Sequence, residues 1–383
     1  MTLTTQRLIL ICMLWLAGLG AAAQFAKIAV PFFVLRSTYP EAGDQIGWLL
    51  SIISLLGVIF GIVVGGIVAR IGEKRILVGG LALGAAISLS QATVPSFTLM
   101  LASRLIEGIS HLAIVVAAPT LIAQLSGDRL RPFAMSFWST FFGVAFALYA
   151  WVILPILPSG ELAPILTSHG VYMGAVAILI AVLIPSSTTH SEARPINMLA
   201  THLRAYRSPF IAAPAMGWLF YTLTFVSLIA LIPERLPEGQ AVWATGLMPV
   251  MSIATSMIFV PLIAARLSSV NAIYAGFAIG AALIPFAILI DIRALVAVLF
   301  FGVIGLVQGG SFAAVPELNK RPEDQALAYG FMAQTGNIGN LLGTPILLWV
   351  ISLGGDIAKY GTITALYLTA IAAHLALAMA RRA

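Results

Sequence analysis

Four ionisable residues stand where the chain is otherwise apolar, and their spacing is the first sign of chemistry. Arg104, Glu107 and His111 lie three and four residues apart in one apolar run, so a helix carries all three on one face. Lys27 sits in another such run. Ionisable groups are expensive to keep in apolar surroundings, which makes each a candidate functional residue. Lys27 and Arg104 are about seven or eight residues from the corresponding ends of their runs, a shared depth of ~10–12 Å at ~1.5 Å per residue. Two cations at one depth attract a small anion, so Lys27, Arg104 and His111 are candidate substrate ligands. Glu107, drawn one way by desolvation and the other by neighbouring cations, is the candidate proton carrier, and His111 is placed to relay to it.

Structural readings stand beside these. Arg104 and Glu107 can be a plain ion pair, Lys27 can extend toward the nearer end of its run, and His111 can be a satisfied core histidine. The second half of the chain is polar without charge. Gln308, Gln334 and Asn337 are its candidate substrate ligands, with Tyr221, Thr224, Thr335 and Asn340 behind them. Amides in an apolar helix either bind a ligand or bond a neighbouring helix. Cations in one half and amides in the other suggest a solute gripped by both.

The elements that must position these residues follow from composition. Of 383 residues 60% are hydrophobic and 9% charged, with a mean hydropathy of +1.03. A water-soluble domain carries roughly 25% charged residues, so this surface faces lipid. Apolar runs fall at about 8–35, 45–69, 76–93, 97–124, 133–157 and 168–185, then at about 209–233, 242–264, 272–290, 294–316, 326–352 and 358–380. A spanning helix needs ~20 apolar residues, and this predicts an all-α integral membrane protein of about twelve transmembrane helices. The first run, with Arg7 before it and Ala21-Ala22-Ala23 inside it, is read as an uncleaved helix because apolar sequence continues to Leu35. The most polar interval divides the chain into an N-terminal six-helix bundle (1–185), a linker (186–208) and a C-terminal six-helix bundle (209–383).

Net charge is +6, but no basic stripe interleaved with aromatics points to nucleic acid. Basic residues gather instead in alternate loops, at Arg70, Lys74 and Arg75, at Arg129 and Arg131, at Arg204 and Arg207, at Lys320 and Arg321, and at Arg381 and Arg382. The positive-inside rule then puts both termini in the cytoplasm, as an even helix count requires. The single cysteine, Cys12, has no partner for a disulfide or a metal motif.

The halves echo one another. Gly65-Gly66-Ile67-Val68-Ala69-Arg70-Ile71-Gly72 closes the second run, and Pro261-Leu262-Ile263-Ala264-Ala265-Arg266-Leu267-Ser268 closes the eighth. This six-plus-six plan is a parallel repeat known among carriers. The segment from Gly65 to Lys74 resembles the G-x-L-A-D-R-x-G-R-K motif of the major facilitator superfamily, matching at Gly65, Arg70, Gly72 and Lys74. Ala69 replaces its Asp and Glu73 its Arg. Arg104-Leu105-Ile106-Glu107-Gly108 is similar to the family's R-x-x-x-G on the fourth helix, whereas the Gly-Pro antiporter signature of the fifth is absent. The first helix (Gln24 to Pro31) and the eleventh resemble bacterial members grouped with cyanate-type and sugar-efflux-type permeases.

The resemblance covers the whole chain. It implies a monomeric carrier in the bacterial inner membrane, with a small-molecule substrate moved by alternating access. It makes Gly65, Arg70, Gly72, Lys74 and Arg266 conformational gating residues and lines the cavity with the first, fourth and tenth helices. Glycines at 57, 61 and 65 and at 339 and 343 are read as a smooth seam between the second and eleventh helices. No P-loop, HExxH, GxSxG or dinucleotide fingerprint occurs, so neither enzymatic chemistry nor a cofactor or metal is expected. A proton-coupled carrier of a small organic anion is the leading expectation. An exporter of amphipathic compounds is second, and a non-transporting receptor or assembly protein third.

Overall fold

The structure is a computed structural model, and it describes residues 3–153, 155, 161–184, 198–289 and 293–382. Residues 186–197 of the expected linker lie outside these. Every regular element among the described residues is helical. The helices fall where the apolar runs predict: α1 (Leu3–Ala29), α2 (Pro40–Phe60), α3 (Glu73–Gln91), α4 (Phe97–Ser126), α5 (Phe137–Ile153), α6 (Leu162–Leu183), α7 (Pro209–Leu231), α8 (Glu238–Ala264), α9 (Ser269–Leu289) and α10 (Arg293–Leu318). The stretch Pro322–Ala380 holds α11 (322–353) and α12 (356–380), which part at Gly354 and Gly355; Gly355 has φ +61°. Nine stretches among the described residues are long and apolar enough to cross a membrane. The last of these holds two of the expected helices, and α3 and the shorter α5 complete the set. The protein is an all-helical, multi-pass membrane protein.

Local sequence explains the interruptions. Pro31 has no N–H to offer the carbonyl of Lys27 four residues back, so α1 ends at Ala29 and a short helix restarts at Phe32–Thr38. Lys27 therefore stands in the last turn of α1. Tyr39 then donates to the carbonyl of Pro95 at 2.8 Å, tying this end of α1 to the loop before α4. Burial, then the nearby Glu41, push its phenol up to about 12, so it stays a donor. Gly72 turns the chain from the helix Val64–Ile71 into α3 in a single residue at φ +101°, a backbone that L side chains rarely adopt. The backbone is helical throughout Phe97–Ser139, so α4 passes into α5 without the loop expected at 125–132. The end of α5 is a π turn, Tyr149–Ile153.

The chain forms two compact units that are interlaced in sequence. One comprises residues 1–42 and 63–196, the other 43–62 and 197–383. In the first, α1 packs against α4, α5 and α6, and side chains of α6 and α4 bond to its backbone carbonyls: Tyr172 to Leu16 (2.8 Å), His169 to Gly20 (3.1 Å) and His111 to Ala21 (3.2 Å). In the second, α7 is almost wholly buried from Phe220 to Leu231. The expected seam of facing glycine stripes is redistributed. Gly57 of α2 and Gly61 just after it do lie against α11, at Asn337 and Gln334. Gly339 and Gly343 of α11 turn instead to α7, where a Cβ on Gly343 would come within 2.2 Å of the Leu223 carbonyl oxygen. Small residues are needed wherever two backbones approach, and on α11 that approach is made within the bundle.

Candidate functional site

The first unit encloses a polar cluster built around three residues that the sequence singles out. Lys27, Arg104 and Glu107 are all 0% exposed. An ammonium has three N–H donors, and those of Lys27 reach Glu107 Oε1 at 2.7 Å, Gln91 Oε1 at 2.7 Å and Ser88 Oγ at 2.8 Å. His169 Nδ1 is a looser fourth neighbour at 3.4 Å. Glu107 also binds Arg104 through Oε2 and accepts from Gln91 Nε2 at 3.0 Å. Gln91 reaches on to Ser103 Oγ at 2.9 Å. Two cations thus converge on one carboxylate, and at ordinary charges the trio carries a net single positive charge away from water. Coulomb attraction in a low dielectric holds it, and Gln91 and Ser88 fill the remaining bonds of Lys27 and Glu107.

The histidines are fixed by what they face. His169 Nε2 meets the Gly20 carbonyl, which only accepts, so Nε2 carries the proton. The neutral ring then accepts at Nδ1 from Ser88 Oγ, 2.8 Å away. His111 Nδ1 meets the Ala21 carbonyl and Gln24 Oε1, both at 3.2 Å, and is the donor there. Among the described residues His111 makes its hydrogen bonds to Ala21 and Gln24 and none to Glu107. It belongs to a second strand of the cluster, in which Gln24 Nε2 donates to Ser110 Oγ (2.8 Å) and Ser110 to the Gly80 carbonyl (2.6 Å). Gly84 makes room for this, because a Cβ there would fall 2.5 Å from Ser110 Oγ.

The amides of the second unit form two separate groups. Gln308 of α10 accepts at Oε1 from Tyr221 of α7 (3.1 Å) and Ser252 of α8 (3.0 Å). Gln334 of α11 donates to the Val58 carbonyl of α2 at 2.8 Å and lies 3.2 Å from His202 Nε2. Asn337 turns back to the Ala333 carbonyl (2.8 Å) and packs on Gly57. Gln334 and Asn337 therefore hold the α2–α11 contact, apart from Gln308. The helix Met198–Arg207 is docked beside them through His202, through Tyr206 against Phe331 (4.5 Å) and through Arg204 paired with Asp324.

The five expected gating residues are in plain positions. Gly65 has open space around it, Arg70 is exposed, Gly72 makes the turn and Lys74 is half-buried in the first turn of α3. Arg266 is exposed just after α8. Glu73, which stands where the family motif has Arg, accepts from Gln124 of α4 at 2.9 Å. Sequence reasoning missed Ser88, Gln91 and His169. His169 lies two residues into an apolar run and Gln91 near the end of another, so both read as boundary residues. Gln91 matters because it touches Lys27 and Glu107 at once.

The first unit thus seals a charged cluster among apolar helices, where ionisable residues are expensive and mark functional sites. The family model for the Major Facilitator Superfamily matches residues 10–344, and the chain belongs to that superfamily of transporters; it is not an enzyme. It is similar to the inner membrane transport protein YajR of Escherichia coli (27% identical over 206 residues, 51% of this chain and 42% of that one). It is also similar to the 3-(3-hydroxy-phenyl)propionate transporter of E. coli (38% over 96 residues, 24% and 23%). A third relative is the class G tetracycline resistance protein of Vibrio anguillarum (26% over 280 residues, 67% of each). The chain thus spans less than half the length of the first two relatives.

Proposed function

We propose that this chain is a secondary active transporter that carries a small organic anion together with a proton by alternating access. The observation that supports it is the convergence of Lys27 and Arg104 on Glu107 in a fully buried cluster. While Glu107 is a carboxylate it occupies both cations. Once it accepts a proton it loses its charge, and Lys27 and Arg104 are left to attract another anion. Proton and anion therefore favour each other's binding, which is the thermodynamic condition for coupling. His169 and Ser88, whose hydroxyl proton is shared between the ring and the Leu166 carbonyl, are the nearest route for that proton; His111 serves the Gln24 side.

In this reading both termini face the cytoplasm of a bacterial inner membrane, and the working unit is a monomer. The six-helix bundles 1–185 and 209–383 are the moving parts, joined by 186–208. The α2–α11 contact, held by one side-chain bond from Gln334 and padded by Gly57 and Gly61, is the part that yields. Gly65, Arg70, Gly72 and Lys74, with Arg266 at the repeat position, control the closing end. Glu107→Gln tests the coupling. The variant, reconstituted in vesicles, is expected to lose proton-driven uphill uptake and keep anion counterflow; unaltered uphill uptake would overturn the assignment of Glu107.

A second reading is an exporter of amphipathic compounds, with Lys27 and Arg104 purely structural. Two observations favour it: the donors of Lys27 are saturated by protein groups, and the similarity to a tetracycline resistance protein spans two thirds of both chains. A thermal-shift screen of the purified protein separates the two. A ligand at ~100 times its Kd stabilises by about 2.7 kcal/mol. Anions stabilising the wild type and not Lys27→Ala support the carrier of anions, whereas lipophilic compounds stabilising both equally support the exporter.

A further inference from the structure

We propose that α7 and α10 present a binding surface for an aromatic ring, so that the solute is an aromatic organic anion. This rests on the reading of the chain as an anion carrier and names the class within it. Trp218 and Tyr221 of α7 stack with ring centroids 5.0 Å apart and planes 21° from parallel. Phe312 of α10 meets Trp218 edge-on, at 5.0 Å and 73°. Trp218 is half-buried and Phe312 is 39% exposed, so the cluster is open on one side.

What it opens to follows from Gln308. This residue is four positions before Phe312, on the same face of α10. Its Oε1 is used twice, by Tyr221 and Ser252, while its Nε2 meets no acceptor among the described residues. Two amide N–H groups turned toward hydrocarbon would be costly. The face that bears Gln308 and Phe312 is therefore not a lipid face, and it suits water or a ligand. An exposed phenylalanine, a tryptophan already committed to stacked geometry and an uncommitted amide donor together fit a ligand with a flat ring and an acceptor group beside it. The indole is held in place from behind: a Cβ on Gly336 of α11 would lie 2.3 Å from Trp218 Nε1, so the ring fits only because that residue has no side chain.

The test compares benzoate with cyclohexanecarboxylate, equal in charge and similar in size, and with benzamide, which has the ring without the charge. Full-length protein in detergent is titrated with each, following the melting temperature and tryptophan emission. Benzoate is expected to bind roughly 3- to 10-fold more tightly than cyclohexanecarboxylate, the scale of an aromatic contact beyond area burial. Phe312→Leu should abolish that preference while both carboxylates still bind, and Trp218→Phe should remove the emission change. An unchanged melting temperature without ligand shows that each variant is folded. Equal binding of the two carboxylates overturns the aromatic surface and leaves the anion carrier standing. Binding of benzamide but of neither carboxylate supports the aromatic surface and overturns the anion carrier. Binding of none of the three overturns both.

Discussion

The two compact units solve the same problem, polar groups in an apolar interior, with different currencies. The first uses formal charge: Lys27, Arg104 and Glu107 are sealed at 0% exposure, with all three donors of Lys27 and both oxygens of Glu107 bonded. The second uses neutral dipoles: Gln308, Tyr221 and Ser252 are joined by single bonds, and Gln308 retains spare donors. A buried charge without a partner is costly, so the first network brings the two cations onto one carboxylate and surrounds Lys27 and Glu107 with amide and hydroxyl partners. A neutral amide costs less than a charge to leave without a protein partner, provided water or a ligand meets it, so the second can keep a donor uncommitted and present it to a ligand.

Substitutions break that contrast in a graded order. Glu107→Ala leaves two buried cations without a carboxylate and should cost about 3–5 kcal/mol, read as a large loss of melting temperature or failure to accumulate. Adding Lys27→Met to it should restore part of the loss, which isolates charge from packing. Next comes a purely steric change in the neutral unit. Gly343→Ala drives a Cβ to within 2.2 Å of the Leu223 carbonyl oxygen, and overpacking of this kind costs about 1–3 kcal/mol. Gln308→Ala gives up two neutral hydrogen bonds, about 1 kcal/mol each; a loss as large as that of Glu107→Ala would erase the distinction between the units. Smallest is Arg204→Ala. The Arg204–Asp324 pair is half exposed on the arginine side, and surface pairs are screened at about 150 mM salt, so no resolvable change in melting temperature is expected there.

The sequence made the charged unit legible and the neutral one opaque, for the same reason. A lysine or glutamate in an apolar run is rare enough to be noticed alone, so Lys27, Arg104 and Glu107 could be grouped before any fold was known. Serines, glutamines and a histidine at the edges of runs are unremarkable, and the roles of Ser88, Gln91 and His169 emerge only when α3 and α6 pack on α1. Gln334 shows the limit most clearly. Its spacing to Asn337 puts both on one face of α11, yet whether that face meets a ligand or a helix depends on tertiary contacts, and Val58 and His202 are 276 and 132 residues away. The helices were readable because period and length suffice. The passage from α4 to α5 was not, since a polar interval need not unwind a helix whose backbone bonds are satisfied.

The interlacing of the units bears on how the chain can be divided. Residues 43–62 belong in sequence to the first half and in compactness to the second. A gene cut within 186–208 would make two polypeptides, and the first would carry a strip whose natural neighbour, α11, is encoded on the other. Expressed together, the fragments should find each other and leave a tagged column as a pair. Expressed alone, the first fragment would bear the bare glycine face of Gly57 and Gly61 with nothing to cover it, and quality-control proteases would remove it.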